Sequence, residues 1–233
     1  MVKIAVNGAA GRMGSRILAL AEASKEFEIA GKFDVNTEKL SAVALKKKGK
    51  GALIDFSSPA GAREAVICAV EAKWALVVGT TGLDEMAQNA INAASEKIPV
   101  VVSSNMSVGV NVMLTLLEIA SKKLPRDFSV EMTEAHHVHK KDSPSGTAST
   151  LAMRIAESRA LDLTELLKSI KVIREGEIVG DHSVTFVGPE ETIEIRHHAK
   201  SRDIFAQGAL IAAQFVSKKT RGLFTMQDVL KEN

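Results

Sequence analysis

Val2-Lys-Ile-Ala-Val-Asn-Gly8-Ala-Ala-Gly11-Arg-Met-Gly14 opens the chain. An apolar β-type run, Val2–Val6, leads into glycines spaced Gly-x-x-Gly-x-x-Gly. A helical pattern follows, with Met13, Ile17, Leu18 and Ala21 on one face. Strand, glycine turn and helix in that order make the first βα turn of a dinucleotide-binding sheet. Gly8 permits the sharp turn, Gly11 lets the backbone approach a pyrophosphate, and Gly14 lets helix and strand pack closely. The amides around Ala9, Ala10, Arg12 and Met13, at the positive end of the helix dipole, suit phosphate oxygens. A second strand, Glu28–Phe33, ends at Asp34, where an acid meets the adenosine ribose hydroxyls. Two plainer readings stand beside these: Asp34 as the N-cap of the next helix, and Arg12 as a surface arginine.

Outward from this turn, apolar runs alternate with amphipathic segments. Ala52–Phe56, Ala75–Val78 and Ile98–Val102 read as strands, and Gly61–Ala72 and Asp84–Lys97 as helices. Near-continuous apolar strands separated by helices indicate a parallel sheet covered on both faces, a Rossmann-type doubly wound arrangement. The segment between Asp34 and Ala52 is short and leaves room for one helix. Gly79-Thr80-Thr81-Gly82 and Ser103-Ser104-Asn105-Met106-Ser107 fall after strands, at the carboxyl edge where open α/β sheets bind ligands. Their small hydroxyls and amides suit a nicotinamide ribose and carboxamide, although ordinary turn chemistry explains either loop as well.

After Asn105 the pattern changes. A helix runs from Ser107 to about Lys122, followed by a strand, Phe128–Glu134, and a helix, Thr147 to about Arg159. Ile170–Arg174, His182–Val187 and Thr192–His197 then alternate as strands with one exposed face. Successive strands without helical crossovers predict an antiparallel or mixed sheet, hence a smaller α+β substrate domain. The expected division is 1–106 for dinucleotide binding, completed by 208–233, and 107–207 for substrate binding and oligomerisation. A hinge is expected near Asn105–Ser107 and Gly208. The last helix spans about Asp203–Ser217, with a tail over Gly222–Leu230.

Composition sets limits on the partners. The 233 residues are 45% hydrophobic and 25% charged, with a net charge of +2, which indicates neither a nucleic-acid nor a membrane partner. The basic run Lys46-Lys47-Lys48 with Lys50 reads as a solvated helix end. The single cysteine, Cys68, lies in an apolar helical pattern and reads as a buried structural thiol. With no disulfide framework and no signal-peptide pattern at the N-terminus, a cytoplasmic location is expected.

Glu134-Ala-His136-His137-Val-His139-Lys140-Lys141-Asp-Ser-Pro144-Ser145-Gly146-Thr147-Ala148 concentrates the chemistry of the second half. A hydride acceptor that gains charge needs a proton donor, and the imidazoles and ammonium groups supply candidates. In extended backbone His137 and His139 share a side, with His136 opposite. Lys140 suits a carboxylate or a developing anion. Ser145-Gly146-Thr147 starts a helix whose amides form an anion pocket. Metal ligation fits poorly, because the spacing matches no common zinc pattern and only one cysteine is present. Ser145 as a nucleophile lacks an elbow motif, and a solvated polar loop is the third alternative. His197 and His198 read as packing or surface residues.

These stretches, with Ile54-Asp-Phe-Ser57, Ser107-Val-Gly-Val-Asn111 and Ser201-Arg-Asp-Ile-Phe-Ala-Gln-Gly208, resemble the 4-hydroxy-tetrahydrodipicolinate reductase (dihydrodipicolinate reductase) family nearly end to end. The resemblance implies an NADH- or NADPH-dependent oxidoreductase of the diaminopimelate route to lysine. It acts on a small cyclic dicarboxylate and assembles as a homotetramer through its second-domain sheets. It also implies His136 as proton donor or acceptor and Lys140 as a second donor, with His137 and the Gly146 and Thr147 amides on substrate carboxylates. Gly8 to Gly14, Asp34, Gly79 to Thr81 and Ser103 to Met106 would line the cofactor. The chain departs from the family by being short after Asp34 and before Ile170, and by carrying Met106 where Phe is common. Val35 stands where some members have an Arg for a 2′-phosphate. That favours NADH, while Lys32 and the Lys46–Lys50 cluster compensate enough for both cofactors to work. Other readings are a different Rossmann reductase, of the aspartate or homoserine dehydrogenase type, and a non-catalytic dinucleotide sensor; a sensor needs no proton donor.

Overall fold

The computed structural model describes residues 1–232. Its packing divides into two compact units, Met1–Val108 with the segment from Asp203 onward, and Gly109–Arg202.

In the first unit, β1 (Val2–Asn7), β2 (Phe27–Phe33), β3 (Ala52–Asp55), β4 (Ala75–Val78), β5 (Pro99–Val102) and β10 (Gly222–Phe224) form one sheet in the order β10-β5-β4-β3-β1-β2. Every pairing in it is parallel. The central strands are buried on both faces, which is why they are near-continuous apolar runs rather than alternating, broken only by Asp55 at the end of β3. Ile4, Val6, Ile54, Val77 and Val101 face a core with α1 (Arg12–Ala23) and α8 (Asp203–Val216). Ala5, Leu53, Leu76, Val78 and Val100 face the opposite core, with α2 (Ala42–Lys47), α3 (Pro59–Ala72) and α4 (Glu85–Ser95). Arg16 of α1 holds Asp203 of α8 through two hydrogen bonds of 2.7 and 2.6 Å. Gly208 lies within α8 and packs on the Met106 carbonyl, and the returning segment begins with that helix at Asp203.

The second unit has a mixed sheet in the order β7-β6-β8-β9, from β6 (Ser129–His136), β7 (Lys171–Arg174), β8 (Asp181–Val187) and β9 (Thr192–His198). β6 and β7 are parallel; β6–β8 and β8–β9 are antiparallel. The crossover that parallel pairing requires is supplied by α6 (Gly146–Arg159) and α7 (Leu163–Ser169). One face is covered by α5 (Val108–Lys123) and α6, through Leu114, Leu117, Leu151, Ile155, Val184 and Phe186. The sequence reading leaves α7 and β10 unassigned. α7 is one short capped segment, with Asp162 accepting from the Glu165 amide (3.1 Å), and β10 is too short for any periodicity to register.

The lysine run is a solvated helix end: Lys46 and Lys47 form the last turn of α2, exposed beside its carbonyl end. Cys68 is buried on α3, and burial pushes its thiol pKa up, which keeps it unreactive. Among the described residues no helix is long and apolar enough to cross a membrane.

Candidate active site

The fingerprint turn is set by backbone contacts. Gly8 has φ +79°, and a Cβ there would lie 2.3 Å from the Phe56 carbonyl oxygen. A Cβ on Gly14 would lie 2.1 Å from Gly8 O and 2.8 Å from Ala9 Cα, both backbone atoms that cannot swing aside. Gly14→Ala is therefore expected to lower the unfolding free energy by about 3 kcal/mol, the upper range for overpacking, and to abolish dinucleotide binding. Urea unfolding and a fluorescence titration with NADH check both; native stability with normal NADH affinity would contradict the close packing.

Gly11 is the N-cap of α1 and brings no side chain to its first amides, while Ala10, Gly11 and Arg12 are exposed. The Asp34 carboxylate accepts from the Ala10 amide (3.0 Å), so it braces the turn from the end of β2. It is not the cap of the next helix, whose N-cap is Ser41. A cavity of about 460 Å³ is lined by Gly8, Gly11, Asp34, Val35, Lys39 and Phe56. Lys32, expected to help with a 2′-phosphate, is paired to Glu22 (2.7 Å); Lys39, which the sequence reading passed over, lines the cavity instead. Thr80, Thr81, Ser103 and Ser104 line a second cavity of about 430 Å³ in the same unit. Thr80 is buried and Met106 is 1% exposed within the apolar core, so only the Met106 backbone is available to a ligand.

Beneath these loops lies Asp55, fully buried at the end of β3. It accepts from Asn7 Nδ2 (2.7 Å), Ser57 Oγ (2.6 Å) and Thr80 Oγ1 (2.6 Å), which ties three strand-end loops together. Burial raises its pKa despite these donors. A cavity of about 1040 Å³ opens at the other edge of the sheet, beside Val2, Ala75 and Pro99. Open sheets bind at strand carboxyl ends, so the glycine turn and its neighbours mark the site.

In the second unit β6 ends at His136, and the chain turns at Val138 and His139. His136 is buried; its Nδ1 lies 3.0 Å from Glu134 Oε2, a close approach without hydrogen-bond alignment. Burial lowers the His136 pKa, the Glu134 charge works against that, and Lys140 and Arg174 add to it. Glu134 is fully buried. Its Oε1 accepts from the Ser145 amide (3.0 Å) and from Arg174 Nη2 (2.9 Å). Burial alone would raise its pKa, but those two donors outweigh burial and hold it below the usual range. Ser145 Oγ accepts from the Ala148 amide (3.1 Å) as the N-cap of α6, so the hydroxyl is engaged in capping rather than poised for attack. Gly146 is exposed at the helix start with open space beside it. Ser143–Pro144 is a cis peptide. Lys140 Nζ sits 2.9 Å from Asp142 Oδ2, His137 is half-buried, and His139 is exposed.

The sequence reading gave no role to Glu134, Arg174 or His182. Alternation along a strand puts Glu134 on the face of His136, a signal that was available. His182 needed the β6–β8 register, which pairs it with Glu134. Its Nε2 is 3.3 Å from Ser145 Oγ, and its ring stands edge-on to His136 at 5.3 Å. Glu134, His136 and His182 each bring one donor atom within 4.8 Å of the others. Ser145 and Arg174 both donate to Oε1 of the carboxylate, and Oε2 approaches His136 Nδ1. His197 is half-buried opposite His182, and His198 is exposed with Nδ1 2.6 Å from Asp181.

Burial, then the His136 charge, lowers the His182 pKa from 6.5 to about 4. The unfolded chain thus takes up a proton between those values that the folded chain refuses, and stability falls as pH drops through that window. The loss from this residue approaches about 3 kcal/mol by pH 4. Urea unfolding between pH 7 and pH 4 is expected to slope less steeply in His182→Gln; equal slopes would contradict a neutral buried His182.

Comparison with known proteins accounts for both units. The model of "Dihydrodipicolinate reductase, N-terminus" matches residues 2–106, and that of "Dihydrodipicolinate reductase, C-terminus" matches 109–230. The 4-hydroxy-tetrahydrodipicolinate reductase of Methanoculleus marisnigri is 41% identical over 255 aligned positions, covering 99% of each chain. That of Caldanaerobacter subterraneus is 37% identical over 250, covering 100% of this chain and 99% of its own. Both alignments exceed 233 positions, so each relative carries residues that this chain lacks. Dipicolinate-bound dihydrodipicolinate reductase from Paenisporosarcina sp. TG-14 shares the fold, with a TM-score of 0.84 at 21% identity over 97% of each chain. On these matches, which run through the glycine turn and the histidine loop alike, the chain belongs to the dihydrodipicolinate reductase family.

Proposed function

We propose that this protein reduces 4-hydroxy-tetrahydrodipicolinate to tetrahydrodipicolinate in lysine biosynthesis, with NADH or NADPH as hydride donor. The observation that carries the reading is that His136 and the α6 start meet at one buried carboxylate, Glu134, with Lys140 in the turn that follows, in a chain whose full-length relatives bear that activity's name. The balance is one hydride from the nicotinamide, one proton, and loss of the ring hydroxyl as water.

The residues divide the labour. The amides around Gly8–Gly14 would bind the pyrophosphate, Asp34 the adenosine ribose, and the Gly79–Thr81 and Ser103–Met106 loops the nicotinamide end. The cofactor, when bound, supplies the hydride. His137 and the Gly146 and Thr147 amides would receive the two carboxylates. A doubly anionic substrate favours protonation of neighbouring groups, which offsets the burial that keeps His136 neutral in the free protein. His136 and Lys140 are then the groups that hold and deliver the proton. Asp34 with Val35 favours NADH over NADPH, since an acid opposes a 2′-phosphate, and Lys39 moderates the difference. Residues 1–106 with 208–233 would serve the cofactor and 107–207 the substrate. Assembly as a homotetramer through the second sheet, in the cytoplasm, completes the reading.

The test mixes purified protein with each reduced cofactor and substrate made freshly from pyruvate and aspartate semialdehyde by a synthase. Oxidation of both is expected, with NADH giving the higher kcat/KM. If neither is oxidised, the reading fails.

A further inference from the structure

Glu134 is the most deeply buried charged group of the second unit and has no place in the reaction just described. Its two oxygens face different ways: Oε1 receives the Ser145 amide and Arg174, and Oε2 approaches His136 Nδ1. Ser145 is the cap of the helix whose first amides would receive a carboxylate. We propose, on the basis of the reduction above, that Glu134 is a positioning residue that locks His136 to the start of α6. Proton donor and carboxylate pocket then form one rigid unit, with Arg174 as counter-charge.

The negative charge of Glu134 Oε2, 3.0 Å from Nδ1, favours the tautomer with its proton on Nδ1, which leaves Nε2 as the atom that takes up and releases the reaction proton. Gly180 adjoins that nitrogen: a Cβ built on it would lie 3.1 Å from His136 Nε2, so the ring is held closely on that side as well. His182 supports the same arrangement. Ser145 Oγ already accepts from Ala148, so its hydrogen is available to His182 Nε2, and the second imidazole is held edge-on against His136. The charged groups facing His136 are thus Glu134 on its own strand, Lys140 and Asp142 from the loop, and Arg174 from β7, with the neutral but titratable His182 from β8.

The test is Glu134→Gln, which keeps shape and removes the charge. Its kcat is expected to fall on the order of 10²-fold, as when a carboxylate behind a working imidazole is lost. The KM for NADH should stay within about twofold, because the cofactor loops belong to the other unit. Without the carboxylate, burial, Lys140 and Arg174 act on His136 against the smaller opposing charge of Asp142 alone. The limb of the kcat/KM pH profile that reports His136 should therefore move to lower pH, a change that a merely structural loss would not produce. A kcat within about threefold of wild type and an unmoved limb would overturn the proposal. Nitrogen NMR of imidazole-labelled wild-type protein tests it without a variant: neutral His136 should carry its proton on Nδ1, and an Nε2–H tautomer would overturn it. If wild-type protein oxidises neither cofactor, the reduction itself fails; if wild type turns over and Glu134→Gln matches it, only the role of Glu134 does.

Discussion

Lys140→Ala is expected to lose kcat by about 10²- to 10³-fold while binding NADH as wild type does. Lys140 lies in the turn after β6, partly exposed, with its ammonium 2.9 Å from Asp142. Its charge bears on His136, whose pKa it helps to lower, so the two cationic candidates act on one small region. Removing the ammonium deletes a proton source and a counter-charge for the substrate carboxylates, both most valuable as charge develops on the ring. The glycine turn and the Asp34 carboxylate belong to the other unit, which is why cofactor affinity should not change. Lys140→Arg restores charge but not turnover, because a guanidinium does not release its proton. Steady-state kinetics and a fluorescence titration with NADH decide the point; turnover within about threefold of wild type in the alanine variant would remove Lys140 from the chemistry.

The largest effect on stability is expected at Arg159. This residue is 3% exposed at the end of α6. It donates to the carbonyls of Ser121 (3.3 Å), Leu124 (3.3 Å), Pro125 (2.8 Å) and Phe128 (3.0 Å). Those carbonyls follow from the last turn of α5 into β6, where helix geometry leaves acceptors without partners. The guanidinium also lies 5.9 Å from the centre of the Phe186 ring. Arg159→Met keeps most of the bulk but strips donors from buried carbonyls, each worth about 1–3 kcal/mol when left unsatisfied. The unfolding free energy of the second unit is expected to fall by about 3–5 kcal/mol. Urea unfolding at pH 7 measures it. A loss under about 1 kcal/mol would mean that water replaces the guanidinium at these carbonyls.

Much of this was legible in the chain. The parallel sheet announced itself because its strands are buried on both faces and so are written as unbroken apolar runs. The glycine turn was legible because its spacing is dictated by two backbone contacts, at Gly8 and Gly14. The histidine loop stood out by composition. What could not be read depends on register and distance. His182 comes within reach of His136 only because β8 runs antiparallel to β6 with Glu134 opposite His182. Arg174 reaches Glu134 because β7 pairs parallel on the other side. Asp55 looked like the last residue of an apolar strand, and its hydrogen bonds link residues far apart in sequence. Met106 was expected at the cofactor from its loop position, yet its side chain is in the core, because packing beneath α8 claims it.

The central claim is that a nicotinamide hydride and a protein-delivered proton meet on one cyclic dicarboxylate. It is tested most directly by running the reaction with NADH deuterated at its transferable position and following both the cofactor's near-ultraviolet absorbance and the product's mass. The account predicts that NADH is consumed in step with freshly made substrate and that tetrahydrodipicolinate gains one deuterium from the cofactor. Its other new hydrogen should come from water. No NADH or NADPH oxidation with authentic substrate, or a product whose new hydrogens both come from water, would contradict it.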